Sequence, residues 1–402
     1  MKKIILSLCM LVLFSKTAYA NQLDIKSPSA VMISASDGQI LFEDKKDEEF
    51  LASGLNDIML TYVGAKNLSA EDTLEAFDSL KRKVLSENAN LSLESGEVLS
   101  RDSVLNAIML KSAFDAKLLL SEKISGGNND FYLYLNEEVK KIGALNTDYT
   151  ALLEKDARGY STVYDIALIL KSAIVNEEFY TIFTTEEYVI PTNDVCFEER
   201  HLKKDNPYFT KEEMTEYKIK GIKSTFTSED KNCVALYVKT DDRDLIIVLR
   251  GGNDFKSTKD DLKRIIAYGC SAYNKVTLTK DEIPQFKDEL TICKALEDTT
   301  FYLVAGYTKE DLKYSYSETG IDIMLPDGQV LKTVKAETEE ELPVYMIITR
   351  IILFALISVV VLVVVFIVMG IVNHGKKKKE RKERLKQIMQ EHKEVEKLTI
   401  DN

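Results

Sequence analysis

The sequence predicts an α/β (α+β) domain, an antiparallel sheet packed against a helical cluster, followed by a small all-β domain and one membrane-spanning helix. Three observations carry this. Between residue 28 and about residue 273, strand-like alternation occupies both ends and helical spacing fills the middle. From Lys275 to about Thr338 the pattern changes to short alternating strands, "KVTLTK", "TICKAL", "TFYLVAG" and "IDIMLPDGQVLKTVKA". From Ile351 to Val372 there are 22 residues without a charge, enough to cross the hydrocarbon core as a helix.

The elements follow in order. Lys2 and Lys3, the apolar run "IILSLCMLVLF" and the small residues "AYA" make residues 1–20 a secretory leader, and Cys9 falls inside its apolar run. "SAVMISASDGQILFEDKKDEEFLA" alternates around Asp37-Gly38 and reads as a hairpin. Helical spacing then runs from Leu55 to about Lys66. The stretch from "LSLESGEV" to "LLLSEKI" holds a polar connection and two helices. "NDFYLYLNEEVKKIGAL" is a further helix, stopped near Gly143. "YSTVYDIALILKSAIV" is another, with Ser161 or Thr162 available as its cap. After Tyr188, "VCFEERHLKKDNPYF" is polar and loop-like. "YKIKGIKSTFTSEDKNCVALYVKTDDRDLIIVLRG" reads as three strands turning at Ser228–Asp230 and Asp241-Asp242, and "FKSTKDDLKRIIAYGCSAY" as one more amphipathic helix.

The flank of the apolar run sets orientation. "NHGKKKKERKERLK" places eight Lys/Arg between Lys376 and Lys386, and basic clusters of this kind stay cytoplasmic. The expected organisation is a leader at 1–20, a first domain at 21–274, a β-rich domain at 275–338, and a stem at 339–350. The span at 351–372 and a basic tail at 373–402 complete it. The whole chain is −12; the leader contributes +3 and the tail +4, which leaves −19 for residues 21–372. An exterior this acidic disfavours nucleic acid as a partner. Cys196, Cys233, Cys270 and Cys293 permit three disulfide pairings or free thiols, and no spacing resembles a metal site. The reading calls for no cofactor and no metal.

Taken together, these pieces resemble the serine D-alanyl-D-alanine carboxypeptidases, the low-molecular-weight penicillin-binding proteins. The likeness rests on the opening hairpin, on "GALNTDYT", on "GYSTVYDIALILKSAIVNEEFYTIF", on "GIKSTFTSEDKNCVALYVKTDDRDLIIVLRG", and on the order of the β module and carboxy-terminal anchor. It implies a transpeptidase domain of the penicillin-binding-protein and β-lactamase kind. It also implies chemistry resting on three motifs, Ser-x-x-Lys, Ser-x-Asn and Lys-Thr-Gly. In these the serine attacks a peptide carbonyl, a lysine one helical turn on accepts its proton, and the other two motifs hold the substrate.

Laid on this chain, the first motif falls on Gly54-Leu55-Asn56-Asp57. Gly54 offers no nucleophile, and Asp57 puts a carboxylate where an ammonium is needed. Ser53 is adjacent, but residue 56 is Asn, and a one-residue shift turns a side chain about 100° around a helix. The second motif falls on Ser112-Ala113-Phe114: the serine persists, and Phe114 cannot make the hydrogen bonds of an Asn. The third falls on Lys223-Ser224-Thr225, where Thr225 brings a β-branched side chain to a glycine position and should obstruct the groove. Ser228 and Lys231 repeat the Ser-x-x-Lys spacing inside a polar turn, and His201 sits in a charged stretch; both read as surface features.

The expected function is therefore that of a membrane-anchored, extracytoplasmic pseudoenzyme of this family, binding or scaffolding in the cell wall. Lys223, Ser112 and Ser224 are its candidate substrate-binding set, since an ammonium and two hydroxyls suit a peptide carboxylate. The expected partners are a peptidoglycan stem peptide or cell-wall proteins, and the membrane through one helix. One alternative is an active serine-type carboxypeptidase trimming stem peptides. Another is an interaction protein signalling through its tail, where Leu385, Ile388, Met389, Val395 and Leu398 fall at helical spacing.

Overall fold

The computed structural model describes residues 23–400 apart from 85–88, 154–158, 229–230, 253, 288–290, 318–319 and 341–343. The expected leader lies outside the described residues, as do Glu229 and Asp230 of the expected turn and 341–343 of the stem.

Strands β1 (Ser29–Ser34) and β2 (Ile40–Asp44) form the expected hairpin. Its turn holds Gly38 at φ 84°, a left-handed conformation that costs glycine least. A 3-10 turn, Ser53–Asn56, leads into α1 (Asp57–Asn67). Helices α2 (Arg101–Lys111) and α3 (Phe114–Ser125) follow, then α4 (Asn128–Ile142), which ends at Gly143 with φ 89°. Helix α5 (Val163–Ile174) is capped by Thr162, whose side chain accepts from the Asp165 N–H. Helix α6 (Glu177–Thr184) comes next, and then β3 (Ile219–Thr227), β4 (Lys231–Lys239), β5 (Asp244–Gly252) and α7 (Phe255–Ser271).

The five strands form one sheet in the order β2-β1-β5-β4-β3, every neighbouring pair antiparallel. Chain start and chain end of the domain thus meet at β1 and β5. The apolar runs in β1, β4 and β5 are nearly continuous because both faces are covered. Val31, Ile33, Cys233, Ala235, Tyr237, Ile246 and Val248 join the core under the helical cluster. Ala30, Met32, Val234, Leu236, Leu245 and Ile247 join the core under α7, with Leu262, Ile265 and Ile266. Parity along each strand decides the face. Each large side chain buried this way contributes about 1.5–3 kcal/mol, so α5, with Ile166, Ile169 and Leu170 fully buried, is fastened firmly on β1 and β5.

One segment departs from expectation. Residues 195–209 were expected to be loop-like; Arg200–Lys203 instead forms a strand paired with Glu187–Ile190. Its polar "RHLK" lies at the edge of a two-stranded ribbon, where one exposed face leaves little alternation to detect. His201 is exposed there, 3.6 Å from Glu199.

By contact, the chain divides into two compact units. The first comprises 1–279 with 298–315 and 322–333, and includes the antiparallel pair Tyr273–Leu278 and Thr299–Val304. The second comprises 280–297, 316–321 and 334–402. In it Thr291–Ala295 pairs with the end of the strand Val330–Glu340. It closes with a helix, Val344–Ile400, long and apolar enough to cross a membrane. This helix begins before the expected span and runs past it, because Lys, Arg, Glu and Gln after Val372 are good helix formers and no proline interrupts them. Among the described residues, no disulfide joins Cys196, Cys233, Cys270 or Cys293.

Candidate functional site

Four segments meet at the amino-terminal end of α1: the 3-10 turn, the α2–α3 junction, the first turn of α3, and β3. Gly54 and Asp57 lie about one turn apart, and both are buried. The absent side chain at Gly54 leaves a space that is already taken. A β-carbon built there would lie 3.0 Å from Thr225 Oγ1, 3.1 Å from Thr225 Cβ and 3.3 Å from Ser112 Oγ.

Asp57 is fully buried and is met by one hydroxyl donor and two ion-pair partners. Its Oδ2 accepts from Ser112 Oγ at 2.5 Å and lies 2.8 Å from Lys223 Nζ. Its Oδ1 lies 2.6 Å from Lys117 Nζ. Burial pushes the Asp57 carboxyl upward, but the ammonium groups of Lys117 and Lys223 outweigh it and hold the group below its ordinary value. Asp57 also stands at the start of α1, where a negative charge meets the positive end of the helix dipole.

The other groups are positioned as tightly. Ser112 caps α2 in a left-handed conformation, φ 53°, which costs a non-glycine residue about 1–2 kcal/mol. Lys223 closes the same helix end, donating to Met109 O at 2.8 Å and to Ser112 Oγ at 3.0 Å. A cation at a helix carboxy terminus satisfies carbonyls that have no partner within the helix.

Of the expected site residues, Gly54, Asp57, Ser112, Lys223 and Thr225 come together. Ser224 does not: strand parity turns it to the other face, where its Oγ donates to Asp205 O at 2.8 Å. Phe114, half-buried, helps wall a separate cleft with Leu118 and Leu153. Ser53 is half-buried at φ 43°, and its Oγ donates to Leu51 O at 3.3 Å. Lys231 Nζ bonds the Ser228 carbonyl, so that pair is a turn clasp. Lys117 was missed by sequence reasoning; nothing in "FDAKLLL" marks it, and only its distance to Asp57 gives it a role. A larger cleft of about 1120 Å³, walled by Phe42, Tyr164, Tyr268 and Tyr273 among others, includes none of the motif residues.

Solved structures place this architecture. The D-alanyl-D-alanine carboxypeptidase DacD from Francisella tularensis superposes with a TM-score of 0.61 over 80% of this chain and 95% of its own, at 17% identity. Penicillin-binding protein 6B from Escherichia coli gives 0.62 over 78% and 95%, at 18% identity. The fold is therefore a penicillin-binding-protein transpeptidase fold with a carboxy-terminal β domain and a long apolar helix. The sequence model of the D-alanyl-D-alanine carboxypeptidase family, Peptidase S11, matches residues 16–253, and the chain belongs to that family. It is 24% identical over 363 residues to the D-alanyl-D-alanine carboxypeptidase DacF of Bacillus subtilis, covering 83% of this chain and 88% of that one. To DacC of Escherichia coli it is 25% identical over 350 residues, covering 81% and 84%.

Proposed function

We propose that this chain is a non-hydrolysing member of the carboxypeptidase family, anchored by its carboxy-terminal helix with the folded domain outside the cell, and acting in peptidoglycan biology by binding or scaffolding. One observation carries the reading: Gly54, the residue that falls on the motif's serine, has no side chain, and Thr225 occupies the adjoining space. The lysine position supports it. Asp57, ion-paired with Lys117 and Lys223, is an acid without spare basicity, and an unassisted hydroxyl nearby is a poor nucleophile. Lys223 and Ser112, the part of the expected binding set that comes together, are engaged by Asp57, so the reading favours scaffolding over binding of a stem-peptide carboxylate at these two groups. The test is covalent labelling of the full chain in membranes with fluorescent penicillin, beside an active carboxypeptidase. No labelled band, and no D-alanine released from a muramyl pentapeptide, is the expected result; either signal sinks the reading.

A second reading is an active carboxypeptidase. It is favoured by the family match and by the shared name of the curated relatives. Ser53 is then its nucleophile, and Ser53→Ala abolishes release of D-alanine.

A further inference from the structure

The three groups around Asp57 come from elements other than its own. Ser112 lies at the α2–α3 junction, Lys117 on α3 and Lys223 on β3. They converge on one carboxylate and use both of its oxygens, at 2.5, 2.6 and 2.8 Å. One carboxylate balances one ammonium; here two lysines face one carboxylate, while burial holds Lys223 below its ordinary value and Asp205 lies within electrostatic reach of it. Lys117 and Lys223 side chains are 13% and 5% exposed. Each ammonium stabilises the Asp57 carboxylate, but one alone would balance its charge, so the second is in excess of what a plain ion pair requires. A receptor for an anion has this composition: charge-assisted donors in excess, fixed by their own packing. Ser112 and Lys223 are fixed independently of Asp57, through the α2 helix end.

We propose that Ser112, Lys117 and Lys223 form a carboxylate-binding site, and that the Asp57 side chain is its tethered occupant. The chain carries its own ligand. A free carboxylate enters only when that side chain is withdrawn, and the group it would replace is of acetate size. This goes beyond the proposed function, since it concerns binding of an anion and holds whether or not peptide is hydrolysed.

The experiment removes the tether. Asp57→Ala in the full chain, in detergent, is melted in sodium acetate and in sodium chloride at equal ionic strength. The expected result is a saturating rise in Tm of at least about 3 °C in acetate over chloride, absent from the unmodified chain. Adding Ser112→Ala should raise the half-saturating acetate concentration about tenfold, the loss of one charge-assisted hydrogen bond. If Asp57→Ala does not fold in chloride, recovery of the fold in acetate supports the site. The variant Asp57→Ala/Lys117→Met leaves one ammonium and one hydroxyl, and should show a smaller acetate-specific rise. Equal melting in the two salts, the same rise in the unmodified chain, or failure of both variants to fold in acetate overturns it. The readout is independent of penicillin labelling, so it fails separately from the proposed function.

Discussion

Thr225 Oγ1 stands 3.0 Å from the point a β-carbon on Gly54 would occupy, so the strand's side chain fills the space that the glycine leaves. The two positions should be energetically coupled. Gly54→Ser alone forces Thr225 to yield and should cost about 1–3 kcal/mol. In a Thr225→Gly background the same change should cost less, with a coupling of about 1 kcal/mol. Thermal melts of the four chains measure this, and a strictly additive cycle refutes it.

Asp57 should be the most sensitive position of the site. Asp57→Ala leaves two ammonium groups facing each other out of water, which costs about 3–5 kcal/mol. Asp57→Lys, the apparent repair of the family motif, should be worse, because it places a third cation against Lys117 and Lys223. Adding Lys117→Ala should recover much of that loss. If Asp57→Lys melts above Asp57→Ala, the ion-pair account of Lys117 is wrong.

Acid should separate Asp57 from its amide. The folded-state carboxyl titrates below its ordinary 3.8, so its contribution is complete above about pH 3.8 and is lost as pH falls through the lower value. The Tm gap between the unmodified chain and Asp57→Asn should hold steady from pH 6 to about 4 and narrow below that. Narrowing that begins near pH 6 would assign the titration to another group.

The membrane arrangement is testable by protection. With Lys376–Lys386 inside, protease added to intact cells should digest the chain on the amino-terminal side of the apolar helix and spare the tail. A tail epitope lost before any exterior epitope contradicts that orientation.

Much of the fold could be read from periodicity. Gly38 in its turn, Thr162 as a cap and Gly143 as a stop are local signals, and each lies where the local chemistry put it. The five-stranded order could not be read, because pairing of β1 with β5 joins residues more than two hundred positions apart. The sequence marked the residues that meet at the site, Gly54, Asp57, Ser112, Lys223 and Thr225, but not how they are arranged. Lys117 belongs to it only through a contact with a residue sixty positions earlier. Ser224 could have been excluded by strand parity alone, since Lys223 and Thr225 must share the face it does not.

Under the proposed function, the interlocking of residues 54, 57, 117 and 225 has a consequence for descent from a site that carried the full motifs. Serine restored at 54 meets a threonine, and lysine restored at 57 meets two others. Glycine restored at 225 leaves a void. Each backward step lowers stability before any chemistry returns, and marginally stable proteins tolerate few such steps. Under the proposed function the arrangement acts as a ratchet: a lineage that passed through it would be barred from retracing the route one mutation at a time.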